Sequence, residues 1–153
     1  MPAADKFLWI DAMVPNMRGA GSALNAGVHK ITITVSASAA HSLANVCKTR
    51  EEMIEEVRAI VRLRDDIASD VRIEAGVSTA FGCTIQGVLS DEDVVWTASE
   101  YVTADVDEAS LSDATGMANP EQVRRLLNKV RAAIGNKTGA THMRNTWGLG
   151  LAI

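Results

Sequence analysis

The sequence predicts an α/β fold with a parallel sheet, and three observations carry that prediction. Short β-branched or apolar segments alternate with segments of helical period. The connections between the strand-like segments are long enough to hold a helix, as parallel neighbours require. Polar and reactive residues collect just after each strand-like segment rather than before it.

Each element has a local reason. Residues 6 to 14, KFLWIDAMV, form an apolar strand that stops at Pro15-Asn16, where proline ends the ladder and asparagine can cap the next segment. Residues 17 to 27 read as a short helix closed by Gly27, and residues 30 to 38, KITITVSAS, as a strand. Thr49 with Glu52 three residues on has capping-box spacing, and Met53, Ile54, Val57, Ile60, Val61 and Ile67 repeat at helical spacing toward Asp70. Residues 71 to 79 form the next strand. A helix comes next over 90 to 105, with Ser90 as cap and acids in the first turn, where the helix dipole favours them. Residues 108 to 113 are a strand, 119 to 135 a helix with Asn119 at the cap and Pro120 at its first position, and 139 to 143 begin a further strand.

A single domain over residues 1 to 153 is the expectation at this length, and 47% hydrophobic residues with 22% charged suit a globular chain. A net charge of −4 without a basic cluster, and aromatics at only 4%, argue against nucleic acid. No apolar run approaches the roughly 20 residues of a membrane span, and the N-terminus lacks a leader pattern, which points to the cytoplasm. Cys47 and Cys83 are the only cysteines and read as buried or half-buried free thiols. Arg50, Arg58, Arg62 and Arg64 read as a solvated helix face.

Two parallel architectures fit this order, an open doubly wound sheet and a (β/α)8 barrel. The first glycine-rich stretch, RGAGSALNAG, opens after a Pro-Asn corner and lacks the GxGxxG placement of a dinucleotide site. In a barrel, function gathers at the C-terminal ends of the strands. There the chain places Asn16, then Ser36 with His41 and Asn45 behind it, then Cys83, then Ser112, Asp113 and Thr115, and finally His142, Arg144 and Asn145.

Five separated stretches, VPNMRGAGSALNAGV, VSASAAHSLANVCKTREEM, VSTAFGCTIQG, ASLSDATGMANPEQVRRLL and THMRNTWGLGLA, in this order and spacing, resemble the hydroxymethylglutaryl-CoA lyases and their neighbours among the metal-dependent barrel lyases. The resemblance implies a segment of a (β/α)8 barrel, about strands three to seven. It also implies cleavage of 3-hydroxy-3-methylglutaryl-CoA to acetyl-CoA and acetoacetate, with Mg2+ or Mn2+ polarising substrate oxygens. The family motif H-x-H-D-T-x-G falls on His142 to Gly148, so His142 corresponds to a metal ligand while Arg144 stands at the second histidine and Asn145 at the aspartate. An arginine has no lone pair to give a cation.

By the same resemblance Asp113 and Cys83 become catalytic candidates, and Asn16, Ser36, Asn45, Ser112 and Thr115 substrate-binding ones. From the residues alone, Asp113 can equally cap the turn before Gly116, and Cys83 can be a thiol in a turn. Leu43 stands where many relatives carry a basic residue. The implied partner is an acyl-CoA. With about five of eight strands expected, open sheet edges predict self-association or pairing with another chain, and the chain alone is expected to be incomplete as a lyase.

Overall fold

The computed structural model describes residues 8–146, 148, 150, 151 and 153. Five strands, β1 (Asp11–Val14), β2 (Lys30–Ser36), β3 (Arg72–Ser78), β4 (Glu108–Ser112) and β5 (Thr138–His142), form one sheet in sequence order. Every neighbouring pair is parallel. Five helices connect them: α1 (Met17–Asn25), α2 (Ala39–Val46), α3 (Arg50–Ile67), α4 (Asp91–Thr103) and α5 (Pro120–Ile134). Consecutive parallel strands joined by helices make a segment of a (β/α)8 barrel, as expected.

The alternation along each strand divides the sheet into two faces. Ile31, Ile33 and Val35, with Ile73, Ala75, Val77, Ala109 and Leu111, are fully buried against Val57, Ile60, Val61, Ala98, Tyr101, Leu126 and Val130 of the helices. That is the core. The alternate residues carry polar chemistry on the other face: Lys30 bridges to Glu74, and to Asp11 and Glu108 at 3.4 Å each. The Ser110 hydroxyl bonds the Glu74 carboxylate. Tyr101 donates its hydroxyl toward the Val35 and Gly76 carbonyls at 3.4 and 3.3 Å, fixing α4 to two strands, and burial pushes its pKa well up.

The caps match the sequence. Thr49 and Glu52 form a reciprocal capping box, Ser90 accepts from Asp93 N, and Asn119 accepts from Gln122 N ahead of Pro120. Four readings are corrected. The polar segment after residue 38 contains α2, an eight-residue helix capped by Ser38, which accepts from His41 N; it closes on Cys47 in the left-handed region at φ 56°. Residues 37 and 38 therefore turn the chain instead of extending the strand. Cys47 is exposed on that corner, whereas Cys83 is buried.

The arginines of α3 are the third correction. Arg64 is buried and donates to the Val71 carbonyl and the Asp107 carboxylate, both at 3.1 Å. Arg50 donates to the Ala37 carbonyl and Asp93 and lies over the Trp96 ring at 4.9 Å. Arg58 joins Glu55 on its own helix to Glu100 on α4. Only Arg62 remains on the solvated face. Guanidinium donors fit helix-to-helix bridging because they present several N–H groups in a fixed fork. The first strand is also shorter than expected: it begins at Asp11, and residues 6 and 7 lie outside the described residues.

Candidate functional site

The nominated polar residues lie at the C-terminal end of the sheet because the chain runs the same way through every strand. Register brings Ser36 beside Ser78 and Ser112 beside His142. Ser36 is buried, with its hydroxyl 2.8 Å from that of Thr79 and accepting from Ser38 N at 3.1 Å. Thr79 holds this position at φ 57°, a conformation uncommon for a β-branched residue, and its hydroxyl also donates to the Ser78 carbonyl.

A small cavity of about 20 Å³ beside β2 is lined by Thr34, Ser36, His41, Ser42, Asn45 and Ser78. It has room for a single water. His41 Nδ1 is buried there without a hydrogen-bond partner among the described residues. Asn45 is exposed at the rim of this cavity. Asn16 lies apart, its side-chain oxygen accepting from Gly19 N at 3.0 Å to start α1.

Cys83 sits in a tight loop after β3. Its N–H and carbonyl pair with the carbonyl and N–H of Gly87 at 2.9 and 2.7 Å, and its sulfur accepts from Ile85 N and Gln86 N. Burial pushes the thiol pKa up, but hydrogen bonding with Ser38 and with the Gln86 and Ile85 amides outweighs it, so the net shift is below the ordinary value. The loop is clamped from three sides. Gln86 accepts from the Ser38 hydroxyl at 2.8 Å, Thr115 donates to the Gly82 carbonyl at 3.0 Å, and Gln122 donates to the Phe81 carbonyl at 3.0 Å.

Asp113 is only 1% exposed, and its carboxylate is turned onto the amides of the residues that follow it. It accepts from Gly116 N and Met117 N at 3.0 Å and from Ala118 N at 3.3 Å. Those bonds make the turn that carries Gly116 at φ 75°. His142 is exposed; its carbonyl accepts from Asp113 N at 2.8 Å, which ties β5 to the same turn. Met143 packs against the core, Arg144 is exposed, and the Asn145 side-chain oxygen accepts from Gly150 N at 3.0 Å.

A divalent cation of this barrel class needs several oxygen or imidazole donors converging on one point. The residues here do not fit it. No group of three His, Cys, Asp or Glu converges among the described residues. The Asp113 oxygens are engaged by backbone amides, the Asn145 oxygen closes its own loop, and Arg144 brings positive charge next to the lone His142 imidazole.

Sequence reasoning overlooked the residues that hold this end together and those that lock the other. Thr79, Gln86 and Gln122 position the loops through bonds that no spacing announces. Lys30, Glu74 and Glu108 were signalled by the alternation in KITIT, RIEAG and EASLS, since a parallel strand buried on both faces is normally an unbroken apolar run.

A parallel β/α segment with hydroxyls, an imidazole and a guanidinium at the strand C-terminal ends has the architecture of a barrel whose ligand face is that end. The family model described as HMGL-like matches residues 5–153, and the chain belongs to this family. It is 30% identical over 141 residues to a hydroxymethylglutaryl-CoA lyase of Bacillus subtilis, covering 92% of this chain and 46% of that protein. It is 34% identical over 142 residues to an (R)-citramalyl-CoA lyase of Chloroflexus aurantiacus, covering 92% and 44%. An HMG-CoA lyase from Acinetobacter baumannii, solved with coenzyme A and 3-methylmalate, superposes with a TM-score of 0.87 at 31% identity, covering 98% of this chain and 48% of that one. The chain spans about half the length of the relatives it matches. Metal dependence belongs to the family in general. Among the described residues no helix is long and apolar enough to cross a membrane.

Proposed function

We propose that this chain forms, as one domain, the acyl-CoA-facing part of a hydroxymethylglutaryl-CoA lyase-like carbon–carbon lyase, and that alone it does not turn over the thioester. The observation that carries the proposal is the gathering of Ser36, Asn45, Ser112, Thr115 and His142 along one end of a sheet that superposes on a relative solved with coenzyme A. Ser112 and Asn45 present a hydroxyl and an amide group to substrate oxygens, while Ser36, its buried hydroxyl already bonded to Thr79 and Ser38 N, holds the strand end that carries them. Asn16, with its oxygen occupied by the α1 cap, offers only its amide N–H groups. Asp113 and Cys83 act as positioning residues, the first by building the turn under Thr115 and the second by closing the Cys83–Gly87 loop. His142 supplies one imidazole, which is too little to hold Mg2+ or Mn2+ firmly.

The test is to mix the purified chain with 3-hydroxy-3-methylglutaryl-CoA in MgCl2 or MnCl2, measuring binding by calorimetry and acetoacetate by an enzyme-coupled assay. Binding without acetoacetate is expected. Metal-dependent release above a buffer control overturns the claim of inactivity, and no binding overturns the acyl-CoA reading.

A second reading concerns assembly. Among the described residues β1 pairs only with β2 and β5 only with β4, and Leu8, Ile10 and Met13 are exposed along the β1 edge. Unpaired edges bordered by apolar side chains invite another strand. Sedimentation is expected to show self-association; a compact monomer at all concentrations counts against it.

A further inference from the structure

The residue that disqualifies the strand-end site for a cation suits it to the opposite charge. Arg144 lies two residues past the end of β5 at His142 and is exposed, while the half-buried Met143 between them packs against the core. Its guanidinium makes no hydrogen bond or ion pair with any described residue. A guanidinium is permanently charged and presents a fork of N–H donors that matches a carboxylate in a bidentate fashion.

No described acid forms an ion pair with that charge. Across from His142 in the register stands Ser112, and the neighbouring strands end in Ser78 and Ser36, so the side chains at this end are hydroxyls and an imidazole. The one carboxylate immediately after a strand here, Asp113, spends both oxygens on the amides of residues 116 to 118. The acids on the same sheet face, Asp11, Glu74 and Glu108, belong to the far end, drawn around Lys30. Glu74 and Glu108 are each four residues from the strand ends at Ser78 and Ser112, about 13 Å at roughly 3.3 Å per residue, and Arg144 lies beyond those ends. Since screening sets in over about 8–10 Å in physiological salt, those carboxylates do not neutralise Arg144.

We infer that the C-terminal end of the sheet recognises an anion, a carboxylate group of a small acid, through Arg144 assisted by His142 and Ser112, in place of a divalent cation. The inference rests on the reading of this end as the ligand face. It differs from the acyl-CoA proposal in what it requires, since it concerns a carboxylate and not a thioester or a nucleotide. Arg144 has the reach and the spare donors to pin one carboxylate. His142 and Ser112, fixed side by side by the β4–β5 register, give that anion a defined orientation.

The test uses the whole chain and free 3-hydroxy-3-methylglutarate as the probe, titrated calorimetrically, with MnCl2 titrated separately. The variants are Arg144→Ala and Arg144→Lys. The wild type is expected to bind the dicarboxylate and give no heat with MnCl2. Arg144→Ala is expected to weaken dicarboxylate binding by about 10-fold or more, the worth of a charged hydrogen-bonding pair, and Arg144→Lys to recover part of it. Arg144 is exposed, so both variants keep the wild-type circular dichroism spectrum. Dicarboxylate binding that is absent from the wild type, or unchanged in Arg144→Ala, overturns the inference, as does binding of MnCl2 by the wild type. Coenzyme A is titrated alongside: if it fails to bind while the dicarboxylate still responds to Arg144, the acyl-CoA proposal falls and this one stands.

Discussion

The two ends of one sheet face are built from different chemistry. At the N-terminal ends of the strands, Lys30 is surrounded by Asp11, Glu74 and Glu108, and Glu74 also takes the Ser110 hydroxyl, so these charges answer one another. At the C-terminal ends, His142 and Arg144 present side chains that no described residue engages, and Asn45 rims a cavity in which a buried His41 nitrogen has no partner among the described residues. The difference separates fold from function. Groups satisfied within the protein hold the strands in register, while groups with spare donors are the ones we propose a ligand meets, in line with the division of labour between the two ends of a (β/α)8 barrel.

Asp113 is the residue that crosses this division, and the largest effect is expected there. It stands among the ligand-facing residues, yet its carboxylate is buried and bound to three backbone amides. Asp113→Ala leaves those N–H groups without an acceptor, and should cost about 3 kcal/mol of stability in urea unfolding, because buried donors stranded without partners are expensive. Asp113→Asn keeps one side-chain oxygen as acceptor and should cost visibly less. A loss below about 1 kcal/mol for Asp113→Ala would show that the carboxylate is not what shapes the turn, and would return it to the ligand-facing set.

The opposite end gives the next largest effect and a pH signature. Lys30→Met removes the one cation that Glu74, Glu108 and Asp11 share, and should cost on the order of 2 kcal/mol at neutral pH, less than for a fully buried pair because the groups retain some solvent. Burial pushes the Glu74 carboxyl up, but the Lys30 and Ser110 hydrogen bonds and the Lys30 charge outweigh it and leave it below its ordinary 4.5. A carboxylate with a lowered folded value adds stability above that ordinary value and loses it as pH falls through the folded one. Burial likewise pulls Lys30 down, yet Glu74 and Asp11 hold it above its ordinary 10.5, so its contribution is present below that value and fades as pH rises through the folded one. The deficit of Lys30→Met should therefore be widest between those two values and shrink in acid. Unfolding curves across pH check this; a deficit that does not change in acid would mean that packing of the lysine stem, not its charge, was lost.

How much of this was legible in the sequence divides along the same line. The strand and helix order, the caps at Thr49, Ser90 and Asn119, and the parallel topology could be read because they depend on local periodicity and side-chain-to-backbone bonds a few residues apart. The helix α2 escaped because its apolar pattern is short and its one clear signal, Ser38, lies within the expected strand. The arginines of α3 were misjudged for a related reason: their partners Asp93, Glu100 and Asp107 are more than forty residues away, so only the fold brings them within reach. The clamps on the Cys83 loop from Ser38, Thr115 and Gln122 were hidden in the same way. Sequence could nominate the residues at the strand ends. It could not say which of them the protein had already used.

The smallest effect on stability belongs to His142, and it sharpens the comparison most. Its side chain is exposed and its tie to the fold runs through its backbone carbonyl, which accepts from Asp113 N whatever the side chain is. His142→Ala should therefore change stability by no more than about 0.5 kcal/mol, the range of a surface substitution. If the imidazole faces a bound carboxylate, the same change should weaken binding of 3-hydroxy-3-methylglutarate roughly threefold, the worth of a single exposed hydrogen bond. A variant that loses stability without losing affinity would place His142 with Lys30 and Asp113 among the residues that hold the sheet. One that loses affinity while melting unchanged would mark the strand-end side chains as spare to the fold and therefore free to serve a ligand.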